Sequence, residues 1–282
     1  MGSRLQGLLL FLLQGSYEAG TGLVRLMALL LGLKVVNRIN DMMSVKKTGV
    51  VLCLAMIGCG PAGGEGDKDM AYGDVQISGA MRNVMWKGEL GPAIALDTIS
   101  DKKGLYGLGP LSYLRGEIMV MDGDAYVSRV TSDTTMTVER GFEASAPFFV
   151  HTHMTEWEEV KLPAEVRSME NLEKFIEERR ADRKRPFVFR LRGEVSMAKI
   201  HVQNLPEGSE VSSPEQAHRG QVNYALNDET VDIVGFFSTE HKGVFTHHDS
   251  FVHMHLITND KGTMGHLDEM MMGEMTLYLP GI

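Results

Sequence analysis

Three histidines near the end of the chain have the residue type and spacing of a metal site. In the apolar segment 251–257, strand alternation would place His253 and His255 on one face. A turn sequence follows at residues 259–262. A hairpin centred on it would set His255 directly opposite His266, with facing Cβ atoms about 5 Å apart. Three imidazoles on one face can bind zinc and leave a position for water or substrate. Packed or surface histidines are the simpler alternative, but this register favours a Zn²⁺ site.

The elements expected to carry these side chains are short strands. From residue 74 onward, brief apolar runs alternate with turns rich in Gly, Asp and Asn. Residues 118–127 contain two apolar runs on either side of an Asp-Gly-Asp turn, which predicts a hairpin. Residues 148–150 and 187–191 indicate further strands of the same kind.

One helix is expected in the middle of the chain. Ser168 is a suitable N-cap, and Leu172, Phe175 and Ile176 form an apolar stripe at helical spacing. The helix should end before Pro186, because the residue that precedes a proline disfavours helical geometry.

Many strands and few helices predict an α+β fold with mixed or antiparallel β-sheets. We expect two parts within it: an N-terminal subdomain, residues 74–183, and a metal-binding subdomain, residues 184–282.

Charge and cysteine content exclude two classes of function. The chain of 282 residues carries 28 Lys and Arg against 37 Asp and Glu, and the stretch before Cys59 is the basic part of it. An acidic body without clustered basic and aromatic residues is not expected to bind nucleic acid. Both cysteines, Cys53 and Cys59, lie in the apolar N-terminal run. The body therefore has no disulfide framework and no thiolate metal site.

The N-terminal region is expected to be an export signal. Residues 43–58 combine two lysines, a short apolar run and a small residue before Cys59, which is similar to the lipobox of bacterial lipoproteins. Residues 59–73 would form a flexible, Gly-rich tether, and residues 1–42 are interpreted as an upstream extension. These features predict a protein anchored by lipid at Cys59 on the periplasmic face of the outer membrane. An uncleaved membrane anchor is the alternative.

Several segments together resemble the α-acetolactate decarboxylases, from about residue 75 to residue 280. GLYGLG at residues 104–109 and LRGEIMVMDG at residues 114–123 are similar to the family's glycine turn and its "LDGEMIxLDG" segment. VHMHLI at residues 252–257 is similar to "YHLHFI", and the Gly-His pair at residues 265–266 is similar to the start of "GHVLD".

The resemblance implies a zinc enzyme that converts 2-acetolactate, or a close 2-hydroxy-3-keto acid, to acetoin and carbon dioxide. It implies that His253, His255 and His266 are the zinc ligands and that Glu117 is an active-site glutamate. A count without gaps from Gly193 to the family's active-site arginine arrives at His201. A non-catalytic periplasmic metal-binding lipoprotein with the same fold is the alternative function, and a homodimer is left open.

Overall fold

The computed structural model describes residues 74–180 and 186–281, all of which belong to one compact unit. The predicted extension, signal peptide, Cys59 and tether lie outside the described residues. The predicted boundary between residues 183 and 184 also lies outside them, so the two subdomains stay a prediction.

The described residues contain thirteen strands and three α-helices, which confirms the predicted strand-rich α+β fold. The helices are α1 Met81–Lys87, α2 Met169–Arg179 and α3 Pro214–Ala217. The strands are β1 Gln76–Gly79, β2 Ile94–Ala95, β3 Leu105–Pro110, β4 Glu117–Met121, β5 Asp124–Ser132, β6 Thr135–Arg140, β7 Ser145–Ala146, β8 Phe148–His153, β9 Trp157–Lys161, β10 Phe187–Val202, β11 Val222–Phe237, β12 Val252–Thr258 and β13 Met264–Pro280.

The first large sheet has the strand order β1-β8-β3-β4-β5-β6 and is antiparallel throughout. Its centre contains the predicted hairpin, now β4 and β5, which turns at Asp122 and Gly123, both with positive φ. Glu117 is the first residue of β4 and pairs with Ser128. The predicted glutamate therefore lies at the first position of a buried central strand.

The second sheet has the order β10-β11-β12-β13-β9, and β10 also pairs with β13. The first four strands thus form a closed circle in which each one is paired along both sides. The strands β10, β11 and β13 have 16 or 17 residues each. Register shifts interrupt the pairing of β10 with β13, one of them at Lys199 and Ile200. Such bulges bend long strands, as closure of the circle requires.

The two large sheets pack on each other through a shared apolar cluster. Tyr106 and Val150 from the first sheet meet Val188, Phe236 and Ile257 from the second, and all five are at most 1% exposed. Burying a large apolar side chain contributes roughly 1.5–3 kcal/mol. This cluster therefore fixes the position of Glu117 relative to the histidine-bearing strands.

Helix α2 begins as predicted. The Oγ of Ser168 accepts the backbone N–H of Asn171 at 3.2 Å, and Leu172 and Ile176 are fully buried. Across residues 74–180 and 186–281, none of the helices has the length and apolar character needed to cross a membrane.

Candidate metal centre

The predicted hairpin register brings the histidines together. In the antiparallel pair of β12 and β13, His255 lies opposite His266, as the sequence predicted. On its other side His266 lies opposite His201 of β10, so three adjacent strands each place one imidazole in a row. His253 is two residues before His255 on the same face. The strand alternation that buries their apolar neighbours thus points all four rings the same way.

His253, His255 and His266, which we call the metal centre, form a compact buried group. Each of the three offers a ring nitrogen within 4.8 Å of the others. The ring centroids are 5.0 Å apart for His253 and His255, 5.1 Å for His253 and His266, and 5.5 Å for His255 and His266. The three residues are 3%, 0% and 7% exposed. The structure therefore brings together the predicted ligand set.

These side chains suit a divalent cation. Burial, followed by the charge of neighbouring histidines, holds the pKa of His253 and His266 well below the usual range, and it lowers the pKa of His255 to about 3. Neutral imidazole is the form that binds metals. The Nδ1 atoms of His253 and His266 are buried without a hydrogen-bond partner, as are both ring nitrogens of His255. Buried ring nitrogens without a partner are costly, and a bound cation would satisfy one nitrogen of each residue.

Glu117 faces the metal centre from the first sheet. Its Oε2 lies 3.7 Å from Nε2 of His255, and its Oε1 accepts the backbone N–H of Gln203 at 3.3 Å. Burial raises the pKa of Glu117 well above its usual range, the charge of Asp268 adds to this, and the Gln203 hydrogen bond opposes it. Glu117 is only 2% exposed. The carboxyl group is thus suited to carry a proton beside the histidines.

His201 enters the same pocket, held by a carboxylate. Its Nδ1 is 2.8 and 2.9 Å from the two carboxylate oxygens of Asp268. This places the ring proton on Nδ1, which donates to Asp268, and leaves Nε2 to face Gln203 at 3.4 Å. The ring centroids of His201 and His266 are 4.6 Å apart. The count without gaps from Gly193 to the family's active-site arginine therefore arrives at a residue of the site.

The structure adds residues that the sequence argument missed. Nε2 of His247, from the segment between β11 and β12, lies 3.1 Å from Nε2 of His266. His218, which follows α3, has its ring centroid 6.4 Å from that of His201. Burial lowers the pKa of both. Gln203 and Asp268 each lie two residues beyond a site histidine, so alternation on their strands could have found them.

The arginines of β10 do not reach the site. The guanidinium of Arg190 packs against the rings of Tyr106, Trp157 and Tyr278, with distances to the ring centroids of 5.1–5.8 Å. Arg192 points to Asp232 at 3.9 Å. The register through β11 places both arginines on the same sheet face as His255, but their side chains are directed to these other partners.

One pocket opens onto His253, His266 and Glu117, whereas His255 is buried behind its lining. Its free volume is about 370 Å³, counting the part open to solvent. The polar residues that line it are Glu117, His201, Gln203, His218, His247, His253 and His266. Met81, Met85, Pro110, Leu114 and Phe148 supply an apolar wall. A small organic molecule in this pocket would meet apolar contacts on one side and the histidines on the other.

Fold and site together define a β-rich protein with a buried three-histidine centre beside a carboxyl group. The chain belongs to the alpha-acetolactate decarboxylase family, whose sequence profile matches residues 80–281. No curated protein matches the chain at a significant level.

Solved structures support the fold. The chain is 22% identical to the alpha-acetolactate decarboxylase of Bacillus subtilis strain 168, with a TM-score of 0.60 over 74% of this chain and 86% of that one. A Staphylococcus aureus protein of unknown function, described as similar to alpha-acetolactate decarboxylase, is 15% identical with a TM-score of 0.62, over 74% and 86% of the two chains. At these identities the likeness establishes the fold.

Proposed function

We propose that the protein is a zinc-dependent decarboxylase that converts 2-acetolactate, or a close 2-hydroxy-3-keto acid, to acetoin and carbon dioxide. The observation that carries this proposal is the clustering of three buried histidines and a buried carboxyl group at one site, in a chain of this family. Decarboxylation of a β-keto acid needs an electron sink at the ketone and a proton source for the carbon that loses the carboxylate.

The three histidines would hold the cation, which when bound supplies Lewis-acid polarisation of the ketone. An all-imidazole set with an open position is typical of catalytic zinc. The closed circle of strands holds the rings in place, since each ligand strand is paired along both sides.

Glu117 would supply the proton. Its carboxyl group lies beside His255, it is excluded from water, and a backbone N–H of Gln203 fixes one of its oxygens. A general acid must lie within hydrogen-bond reach of the atom that it protonates. A substrate bound between the apolar wall and the histidines would bring its reacting carbon to this carboxyl group.

The test is an assay of acetoin formation from racemic 2-acetolactate by the purified full chain. Metal is first removed with a chelator, and zinc, manganese or magnesium is then returned separately. We expect activity with zinc and loss of activity in the apo form. His266→Ala should stay inactive with zinc, whereas His153→Ala, a matched change of a histidine outside the pocket, should remain active. A protein that binds zinc at His253, His255 and His266 and forms no acetoin would instead favour the metal-binding lipoprotein.

The proposed location is the periplasmic face of the outer membrane, with a lipid on Cys59. The charged start, short apolar run and small residue before Cys59 motivate this proposal. Mass spectrometry of the protein from a membrane fraction should find a lipidated N-terminal Cys59. A chain that begins at Met1, or an unmodified Cys59 on exported protein, would contradict it.

A further inference from the structure

Gln203 carries an unpaired acceptor at the pocket. It follows the last residue of β10, it is 4% exposed, and it lines the pocket together with Glu117 and His201. Its side-chain Oε1 is buried and has no hydrogen-bond partner. Leaving a buried carbonyl oxygen unpaired is energetically costly. Such an atom is more easily explained at a ligand site than in a closed core.

The hydrogen-bond partners of the Gln203 side chain match the orientation of its amide group. Gln221 donates through its own Nε2 to Asn223 at 2.9 Å, so its Oε1 is an acceptor. That Oε1 lies 3.3 Å from Nε2 of Gln203. An amide turned the other way would place two carbonyl oxygens against each other. The oxygen of Gln203 is therefore the end that lacks a partner.

His201 supports the same orientation. In the tautomer whose Nδ1 proton is directed to Asp268, Nε2 of His201 can accept from the Gln203 amide nitrogen at 3.4 Å. Asp268, His201, Gln203 and Gln221 thus form one polar chain in which the donors and acceptors match. Such a chain holds the amide in one orientation and leaves Oε1 as its only unused group.

We propose that Gln203 is a specificity-determining residue whose Oε1 accepts a hydrogen bond from the hydroxyl of the substrate. The inference rests on the proposed function and sharpens its substrate class. In an ionised 2-hydroxy-3-keto acid, the carboxylate and the ketone can only accept hydrogen bonds. The hydroxyl is the single donor, so it alone can satisfy Oε1. The backbone N–H of Gln203 binds Glu117, which sets the hydroxyl acceptor next to the carboxyl group.

The test compares two keto acids that differ only at this group. The first is 2-hydroxy-2-methyl-3-oxobutanoate, and the second is 2,2-dimethyl-3-oxobutanoate, in which a methyl replaces the hydroxyl. Gln203→Met keeps the length of the side chain and removes the acceptor. We expect it to reduce the preference for the hydroxylated acid, measured as the ratio of kcat/KM values, by about tenfold or more, because one buried hydrogen bond is lost.

Two further variants control the comparison. Gln203→Glu keeps an oxygen acceptor but loses the amide N–H donors to His201 and Gln221, and it should retain part of the preference for the hydroxylated acid. Gln76→Met makes the same chemical change at an exposed residue of β1 and should leave the ratio unchanged. Zinc content and melting temperature are measured for each variant.

Binding of unreactive ligands separates this inference from the proposed activity. Ligand-observed NMR is carried out with acetoin and with 2-butanone, which lacks the hydroxyl. Wild type should bind acetoin more tightly than 2-butanone, and Gln203→Met should bind the two ligands with similar affinity. An unchanged difference, or an unchanged kcat/KM ratio, would overturn the role of Gln203 while leaving the decarboxylase intact. A wild type inactive on both acids would refute the proposed function, and the binding comparison would then decide on Gln203.

Discussion

Replacement of Glu117 by glutamine isolates proton supply from metal binding. Glutamine has the same shape, and its carbonyl oxygen can still accept the Gln203 backbone N–H that Glu117 accepts at 3.3 Å. The fold and the metal centre should therefore persist. The substitution removes the proton of a carboxyl group whose Oε2 lies 3.7 Å from Nε2 of His255. General acid catalysis is worth about 10²–10⁴ in rate, so kcat should fall by at least about a hundredfold. KM should change less, because the loss concerns a group that acts in the transition state.

The assay is zinc content together with acetoin formation for wild type and Glu117→Gln at one pH. Glu207→Gln is the matched control, because Glu207 has an 87% exposed side chain and does not line the pocket. Normal zinc with near-normal turnover in Glu117→Gln would refute the argument and leave Glu117 a structural residue. Loss of zinc in this variant would also refute the argument, because it would show that the carboxyl group takes part in metal binding.

Three further perturbations test the site and the fold. Alanine at His253, His255 or His266 should abolish stoichiometric zinc binding, because two imidazoles make an incomplete site. Metal analysis of each variant checks this, and full zinc occupancy in a variant would show that the replaced histidine is not a ligand. Ser168→Ala should lower the free energy of unfolding in urea by about 1 kcal/mol, because its Oγ caps α2; an unchanged midpoint would contradict this. Burial lowers the pKa of His151 to about 4, so the unfolded chain binds its proton first as the pH falls. The free energy of unfolding should therefore fall by up to about 2 kcal/mol between about pH 7 and pH 5. This part of the fall should be absent in His151→Gln. A fall as large in the variant as in wild type would contradict the assignment.

The arrangement of the three histidines could be predicted because its determinants are local. Alternation along β12 and a four-residue turn sequence were enough to set His255 opposite His266, and the structure has that register. The hairpin of β4 and β5 and the cap at Ser168 were predicted for the same reason, since each depends on neighbours in sequence.

The surroundings of the centre could not be predicted, because they depend on distant pairing. His201 meets His266 only when β10 pairs with β13, and a bulge near Lys199 shifts that register by an amount that alternation does not reveal. His247 comes from an irregular segment whose course no periodic pattern describes. Glu117 reaches the site because the first sheet packs on the second. Residue spacing does not reveal such packing, so Glu117 was predicted only from the resemblance to the α-acetolactate decarboxylases.

The local origin of the three ligands has a consequence for thermodynamic measurements. His253, His255 and His266 lie within one short hairpin, so all three can still meet around a cation in an unfolded chain. A ligand that also binds the unfolded state stabilises the native state by less than its affinity implies. Zinc should therefore raise the melting temperature of this protein less than its native-state dissociation constant would suggest. A truncated peptide of the hairpin alone should retain measurable zinc affinity.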